Sequence, residues 1–291
     1  DLVIGVGGGS VLDIAKFIAV IKKSGSHPEN YDLNKTPVLD ALPLILIPST
    51  CGSGSEITQY AVAANSKTKR KFTISSKSLF AQKAYIDPSF IFKLSKQHIL
   101  NSSMDAFIHS FEAYVNHKKN MFVDEFALKS MTLIYNTLKG FGKREDIETV
   151  FYENLSYASL LGGISISHNR TGMIHTLSVA FSEYSSEAHG LLNAKIFNKV
   201  LSFNSQYYNG RLAEAASWIS GNNYNNDDAC LFFSSFISSL IPNNKINFDR
   251  SPDLAYILKR VSQDQGLKSV NLRPFNSNDL KKIVKEILCQ D

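Results

Sequence analysis

The sequence predicts an α/β amino-terminal part built on a parallel sheet, followed by an all-α helical part. Three observations carry that expectation. An apolar strand runs into a glycine-rich turn and then a helix at the start of the chain. A second apolar strand near residues 42–48 feeds a second turn of small residues. From about Leu94 onward one helical periodicity follows another.

The elements follow in order. Leu2-Val3-Ile4-Gly5-Val6 reads as a buried parallel strand, because its apolar residues do not alternate with polar ones. It enters Gly7-Gly8-Gly9-Ser10 and then a helix over Val11 to Ile21, with Asp13 in the first turn. Leu42 to Pro48 is the second strand, and Ser49 to Glu56 is the turn behind it. Ala84 to Pro88 reads as a third short strand, ended by proline. Ser95 suits a helix N-cap. Helical patterns fall near 104–117, 122–139, 146–167, 171–182, 188–204, 208–220, 227–240, 252–265 and 278–289. In the last, Leu280, Ile283, Val284, Ile287 and Leu288 share one face, and Ser277 is placed to cap it.

The expected division is an α/β domain over residues 1–93 and an all-helical domain over 94–291. A Rossmann-like nucleotide-binding sheet normally has strands on both sides of its first glycine turn. Here the chain opens on the strand that delivers the turn, so the sheet is expected to be truncated and to lack its first βαβ unit.

Composition narrows the function. The 291 residues are 44% hydrophobic and 20% charged, ordinary for a folded globular protein. The net charge of +5 is scattered, with one basic run at Lys67 to Lys71. No arginine-rich arm is interleaved with aromatics, so nucleic acid is not the expected partner. No long apolar run predicts a membrane span, and the first twenty residues are not a signal peptide. Cys51, Cys230 and Cys289 lie far apart and form no Cys-x-x-Cys pair. Neither a disulfide framework nor a thiolate zinc site is implied, and the reduced cytoplasm is the expected compartment.

The residues that carry chemistry are Asp105, His109, His175 and His189. Asp105 and His109 are four apart, on one face of a helix. His175 and His189 follow in a second stretch. One carboxylate and three imidazoles suit a divalent transition metal such as Fe²⁺, Zn²⁺, Co²⁺ or Ni²⁺. His27, His98 and His117 read as surface residues, and His168 stays open. The glycine turn at Gly8, Gly9 and Ser10 can bind a pyrophosphate through backbone N–H groups at a helix start.

Together these segments resemble the iron-dependent (group III) alcohol dehydrogenases. The resemblance rests on Gly-Gly-Gly-Ser-x-x-Asp-x-Ala-Lys at 7–16, Pro-Ser-Thr-x-Gly-Ser-Gly-Ser-Glu at 48–56, and Ile86-Asp87-Pro88. It continues through Met104 to His109 with Glu112 and Tyr114, then His175, then His189-Gly190 with Asn193-Ala194. It implies a dehydroquinate synthase-like architecture and hydride transfer between NAD or NADP and a metal-held small alcohol or aldehyde. Asp105, His109, His175 and His189 match the metal ligands, for Fe²⁺ or alternatively Zn²⁺. Gly8, Gly9, Ser10 and Asp13 match the pyrophosphate turn, Thr50 and Ser53 match hydroxyls near the coenzyme, and Lys71 matches a lysine that reaches it. Lys71 also reads as one more solvated cation of its basic run. A homodimer is a family-level expectation.

Some features depart from that pattern. The truncated front would remove roughly ninety residues, including the acidic group that favours NAD over NADP. Val179 stands where many relatives carry another histidine. Cys51 replaces a small residue in the second turn, and reads as a buried, inert thiol. Asn169-Arg170-Thr171 resembles the phosphonoacetaldehyde reductase branch, where Arg170 could hold a phosphonate. The simpler reading pairs Arg170 with a carboxylate. A catalytically weak, metal-keeping subunit or interaction protein is the alternative function, and a dehydroquinate synthase-type lyase uses a different ligand set.

Overall fold

The structure is a computed structural model and describes residues 1–25, 40–65, 71–141, 148–241 and 243–289. The strands are β1 (Val3–Gly7), β2 (Leu44–Pro48), β3 (Tyr60–Ala64), β4 (Lys71–Ser75) and β5 (Lys83–Ala84), and helix α1 (Gly9–Ser24) follows β1. β1, β2 and β5 make a parallel sheet in that order, with Val3 opposite Leu44 and Ile45 opposite Lys83. β3 and β4 pair antiparallel, Tyr60 opposite Ser75. From Lys96 onward the described elements are helical: α2 (Lys96–Tyr114), α3 (Met121–Leu138), α4 (Thr149–His168), α5 (Met173–Phe181), α6 (His189–Asn204) and α7 (Arg211–Ser220). These are followed by α8 (Asn226–Leu240), α9 (Leu254–Ser262), α10 (Leu267–Val270) and α11 (Ser277–Leu288). No helix among the described residues is long and apolar enough to cross a membrane.

Several expectations need correction. β1 is not a buried strand: Ile4 is 58% and Val6 49% exposed. Among the described residues it pairs only with β2, and α1 covers one face of it, where Gly5 lies so close that an added Cβ would sit 2.8 Å from Ala15 Cβ. The β3–β4 pair went unpredicted: the small residues of β3 give no pattern, although Lys71-Phe72-Thr73-Ile74-Ser75 alternates polar and apolar. The strand expected at 84–88 is two residues long, and Asp87 caps a short 3-10 turn at Pro88–Ile91 instead. α2 begins at Lys96 rather than near 104; Ser95 caps it, accepting from the His98 N–H. Asn276, not Ser277, caps α11, in a reciprocal capping box with Asp279. His27, Lys67 to Arg70 and Pro242 lie outside the described residues.

The helical core is organised around α2. Every residue from Ser103 to Tyr114 is buried, as expected of a helix enclosed by others, here α3, α4 and α6. Small residues let the axes approach. An added Cβ on Gly162 of α4 would lie 3.1 Å from the Ala106 carbonyl oxygen. A hydroxyl chain crosses the same contact, Ser110 donating to Ser130 and Ser130 to the Ala158 carbonyl, each at 2.8 Å.

α1 is fixed by a buried cation. Lys16 is fully buried, and its ammonium donates to the Thr58 and Tyr60 carbonyls at 2.8 and 2.7 Å. Burial lowers its pKa to about 8, opposed by Asp13 and Glu56, whose own carboxyls burial pushes up. Asp13 accepts from the Ser55 hydroxyl at 2.6 Å and the Val62 N–H at 3.0 Å. The cation and these acceptors tie α1 to the turn at 55–57 and to β3. Removing one partner of such a buried set costs about 3–5 kcal/mol. Lys16→Met is therefore expected to lower unfolding stability by that order in denaturant titration; a change within experimental error would show that the cation does not hold α1.

Candidate metal centre

Three helices bring the four predicted ligands together. Asp105 and His109 sit one turn apart on α2, His175 is in the first turn of α5, and His189 is the first residue of α6. One oxygen, Asp105 Oδ1, faces three imidazole Nε2 atoms: His175 at 3.4 Å, His109 at 3.8 Å and His189 at 3.8 Å. Ligand atoms of Asp105, His175 and His189 all lie within 4.8 Å of one another. The His109 and His175 rings stack at 4.4 Å, and the His189 ring stands edge-on to His175 at 5.4 Å. His189 is the open side, its side chain one-third exposed.

Each imidazole is held from behind through Nδ1. His109 faces the Gly52 carbonyl at 3.3 Å, His175 the Glu112 carboxylate at 2.6 Å, and His189 the Ser178 hydroxyl at 3.1 Å. The carbonyl and the carboxylate can only accept, so His109 and His175 carry their proton on Nδ1 whenever neutral, leaving Nε2 as a lone-pair donor. Glu112 also accepts from the Gly172 and Ile174 N–H groups at 2.9 and 2.6 Å. Asn193 on α6 donates to Asp105 Oδ1 at 2.8 Å, and its own amide oxygen is buried without a partner among the described residues.

The titration behaviour fits a cation site. Burial would raise Asp105, but the three imidazoles outweigh it and hold the carboxyl below its ordinary range. Burial lowers His109 to about 4 and His189 to about 3, against the pull of Asp105. Burial would lower His175 too, yet its bonds to Asp105 and Glu112 raise it to about 9. Donors about 2.1 Å from a tetrahedral ion stand about 3.4 Å from one another, close to the Nε2–Oδ1 separations here. One carboxylate and neutral imidazoles are also the right donors for a borderline dication. The residues fit the ion.

The predicted turn residues assemble next to this cluster. An added Cβ on Gly8 would meet Thr50 Cγ2 at 3.1 Å, and one on Gly9 would meet Ser53 Oγ at 2.6 Å. The two turns are thus in contact, with Gly8 capping α1 and Ser10 exposed in its first turn. Residues 50–53 touch both the glycine turn and the Asp–His cluster, because Gly52 supplies the carbonyl behind His109. Gly52 itself has no room for a side chain, an added Cβ lying 2.6 Å from the Ser102 carbonyl oxygen of α2. Asp13 lies beneath the turn, occupied by Ser55 and Val62. Lys71 opens β4; burial lowers its pKa, opposed by Asp105 and Glu183.

Other residues fall where the simpler readings put them. Arg170 pairs with Asp264 at 2.7 Å, and Thr176 donates to the same carboxylate oxygen at 2.9 Å. His98, His117 and His168 are exposed; His168 bonds the Ile164 carbonyl. Cys51 is buried against Ser102 and Ser103, and burial pushes its thiol up. Sequence reasoning gave no role to Glu112, Ser178, Asn193 or Gly190. Glu112 could have been found, since 105, 109 and 112 share one helix face.

Comparison with known proteins agrees with the motifs. Residues 1–88 match the iron-containing alcohol dehydrogenase family, and residues 99–288 match the C-terminal region of the Fe-containing alcohol dehydrogenase family. The chain is 33% identical to a 4-hydroxybutyrate dehydrogenase of Clostridium kluyveri, over 75% of the chain and 59% of that protein. It is 27% identical to an NAD-dependent methanol dehydrogenase of Bacillus methanolicus, over 99% of the chain and 77% of that protein. Its fold superimposes on a 1,3-propanediol oxidoreductase with a TM-score of 0.87 at 24% identity, covering 99% of this chain and 77% of the other. An iron-containing alcohol dehydrogenase from Thermotoga maritima gives 0.80 at 25% identity, covering 98% and 74%. The chain thus spans less than two thirds of the clostridial relative's length.

Two substitutions test the geometry. An added Cβ at Gly190 would lie 1.8 Å from the Asn101 carbonyl oxygen, so Gly190→Ala must push the start of α6, and His189 with it, away from Asp105. Glu112→Gln removes the charge behind His175 and is expected to weaken metal affinity about 10–100-fold. Both are read by metal titration followed by elemental analysis; wild-type affinity in either variant would contradict the arrangement.

Proposed function

The chain belongs to the iron-containing alcohol dehydrogenase family, and on that footing we propose that it interconverts small alcohols and aldehydes with NAD or NADP. The observation that carries this reading is the second turn. Residues 50–53 press on the glycine turn through Thr50 and Ser53 while Gly52 anchors His109. One short segment therefore joins a dinucleotide turn to a metal cluster.

Asp105, His109, His175 and His189 would hold the ion, Fe²⁺ or Zn²⁺. When bound, the ion supplies Lewis acidity toward the substrate oxygen, and the nicotinamide supplies or takes the hydride. Glu112 and the Gly52 carbonyl keep the Nδ1 proton on His175 and His109, and Ser178 steadies the His189 ring. Gly8, Gly9 and Ser10 offer N–H groups at the start of α1 to a pyrophosphate, with Thr50 and Ser53 beside them. Lys71 supplies a cation beside the cluster for an anionic group of coenzyme or substrate. Asp13 acts as an internal brace beneath the turn. We assign residues 1–93 to the nucleotide-binding part and 94–291 to the metal-binding part, and expect a homodimer in the cytoplasm.

For substrate, simple primary alcohols and aldehydes fit best. The clostridial relative makes 4-hydroxybutyrate a member of the test set. Arg170 is engaged by Asp264, which argues against a phosphonate-binding role.

The test uses protein prepared without air or chelators and loaded with Fe²⁺ or Zn²⁺. NADH and NADPH oxidation is followed with acetaldehyde, succinic semialdehyde and phosphonoacetaldehyde. Asp105→Ala and His175→Ala are each expected to lose the metal and all turnover above background. Full metal occupancy in both variants would mean that the ligands are elsewhere. Bound metal without turnover on any aldehyde or alcohol would refute the activity.

A further inference from the structure

One arginine joins the two parts of the chain beside the metal cluster. Arg260, near the end of α9, donates from Nη2 to the backbone carbonyl of Lys71, the first residue of β4. Its Nε faces Glu183 Oε1 at 3.4 Å as an ion pair, and neither atom makes a hydrogen bond among the described residues. Glu183 lies in segment 182–188, which connects the helix of His175 to His189. The other Glu183 oxygen accepts from the Tyr256 hydroxyl at 2.9 Å, and its backbone carbonyl accepts from Arg250 at 2.9 Å. The Glu183 side chain is 3% exposed and that of Arg260 18%. Arg260 thus donates to one carbonyl and pairs with one carboxylate that are far apart in sequence.

Lys71 needs such a tie. α1 holds β3 through Lys16 and Asp13 and packs on Phe72 and Ile74 of β4, but Lys71, the first residue of β4, is outside that cluster. A lysine also reaches its target on a flexible four-carbon stem, so the position of its backbone decides where the ammonium can go. Through Arg260, the Lys71 carbonyl is one guanidinium away from the Glu183 carboxylate of the segment that leads to His189, and Asp105 and Glu183 oppose the lowering of the Lys71 pKa by burial.

We propose that Arg260 is a positioning residue for Lys71: bonded to the Lys71 carbonyl and paired with Glu183, it holds the first residue of β4 against the segment between His175 and His189. This inference rests on the reading of the cluster as a metal- and coenzyme-binding centre. The tie also sets the separation between the β3–β4 pair and the helical part.

The test compares wild type, Lys71→Ala, Arg260→Ala, Arg260→Lys and the Lys71→Ala/Arg260→Ala double variant. Amine labelling of the metal-free protein, followed by peptide mass spectrometry, reads the access of Lys71 without turnover. Fully buried Lys16 serves as the internal control. Arg260→Ala is expected to speed labelling of Lys71 several-fold and leave Lys16 unchanged. Arg260→Lys, which can reach one acceptor but not both, should fall between, and it carries the same comparison if Arg260→Ala does not fold. In the metal-loaded enzyme, Arg260→Ala should raise the KM for coenzyme or aldehyde more than it lowers kcat, with metal content unchanged. In the double variant it should add nothing to Lys71→Ala, a coupling of about fivefold or more. Unchanged Lys71 labelling, equal acceleration at Lys16, or effects that simply multiply would each overturn the role of Arg260. Absence of turnover in the wild type would refute the activity instead, and the labelling comparison would still decide the tie.

Discussion

A buried carboxylate is the constraint on which the helical part depends. Asp105 is almost wholly removed from water at the middle of α2, and an ionised carboxylate left unpaired there would be expensive. Its compensation cannot come from α2 alone, where one turn offers only His109. The rest arrives from α5 as His175 and from α6 as His189 and Asn193. The packing of three helices and the charge of one oxygen are therefore a single problem with a single solution. Against burial, Asp105 and Glu112 raise the His175 pKa to about 9, and the ligand atoms of Asp105, His175 and His189 lie within 4.8 Å of one another, with His109 Nε2 at 3.8 Å from Asp105 Oδ1.

Backbone approach does the remaining work. Gly190 lets α6 start against the Asn101 carbonyl, and Gly52 lets the second turn lie on Ser102 of the same helix. At Gly54, which adopts a left-handed φ of +60°, an added Cβ would lie 2.5 Å from the Gly163 Cα of α4. These contacts press the 49–55 segment into the groove beside α2, and its other side meets Gly8 and Gly9. The α/β and helical parts share this segment, and the glycine turn and the Asp–His cluster are consequently held relative to each other through it.

Much of this was legible. The strand–glycine–helix order, the switch to helices near Leu94 and the Asp105–His109 pair all follow from local patterns, because periodicity and helix geometry act over a few residues. Ser95 as a cap follows equally from its hydroxyl. What sequence could not give was set by partners distant in the chain. Leu2 to Val6 has the composition of a buried strand, yet among the described residues one face of β1 is left uncovered, with Ile4 and Val6 exposed. The glycines at 52 and 190 look like ordinary turn and helix residues until the opposing carbonyl is in place. The Arg170–Asp264 pair was foreseen as a type of contact, but its carboxylate lies 94 residues away. Glu112 was visible on the ligand face of α2; its importance depends on the start of α5, which no periodicity places opposite it.

Glu112 has a further consequence. The N-cap of α5 is Gly172, which has no side chain, and the N–H groups of Gly172 and Ile174 are satisfied by Glu112 from another helix. The same carboxylate oxygen that takes the Gly172 proton also holds His175. An event at the His175 ring is thus transmitted to the first amides of α5 through one shared atom. Hydrogen exchange at Gly172 and Ile174 becomes a local gauge of whether the site is filled: amides locked when the ring is locked, and open to solvent when it is released.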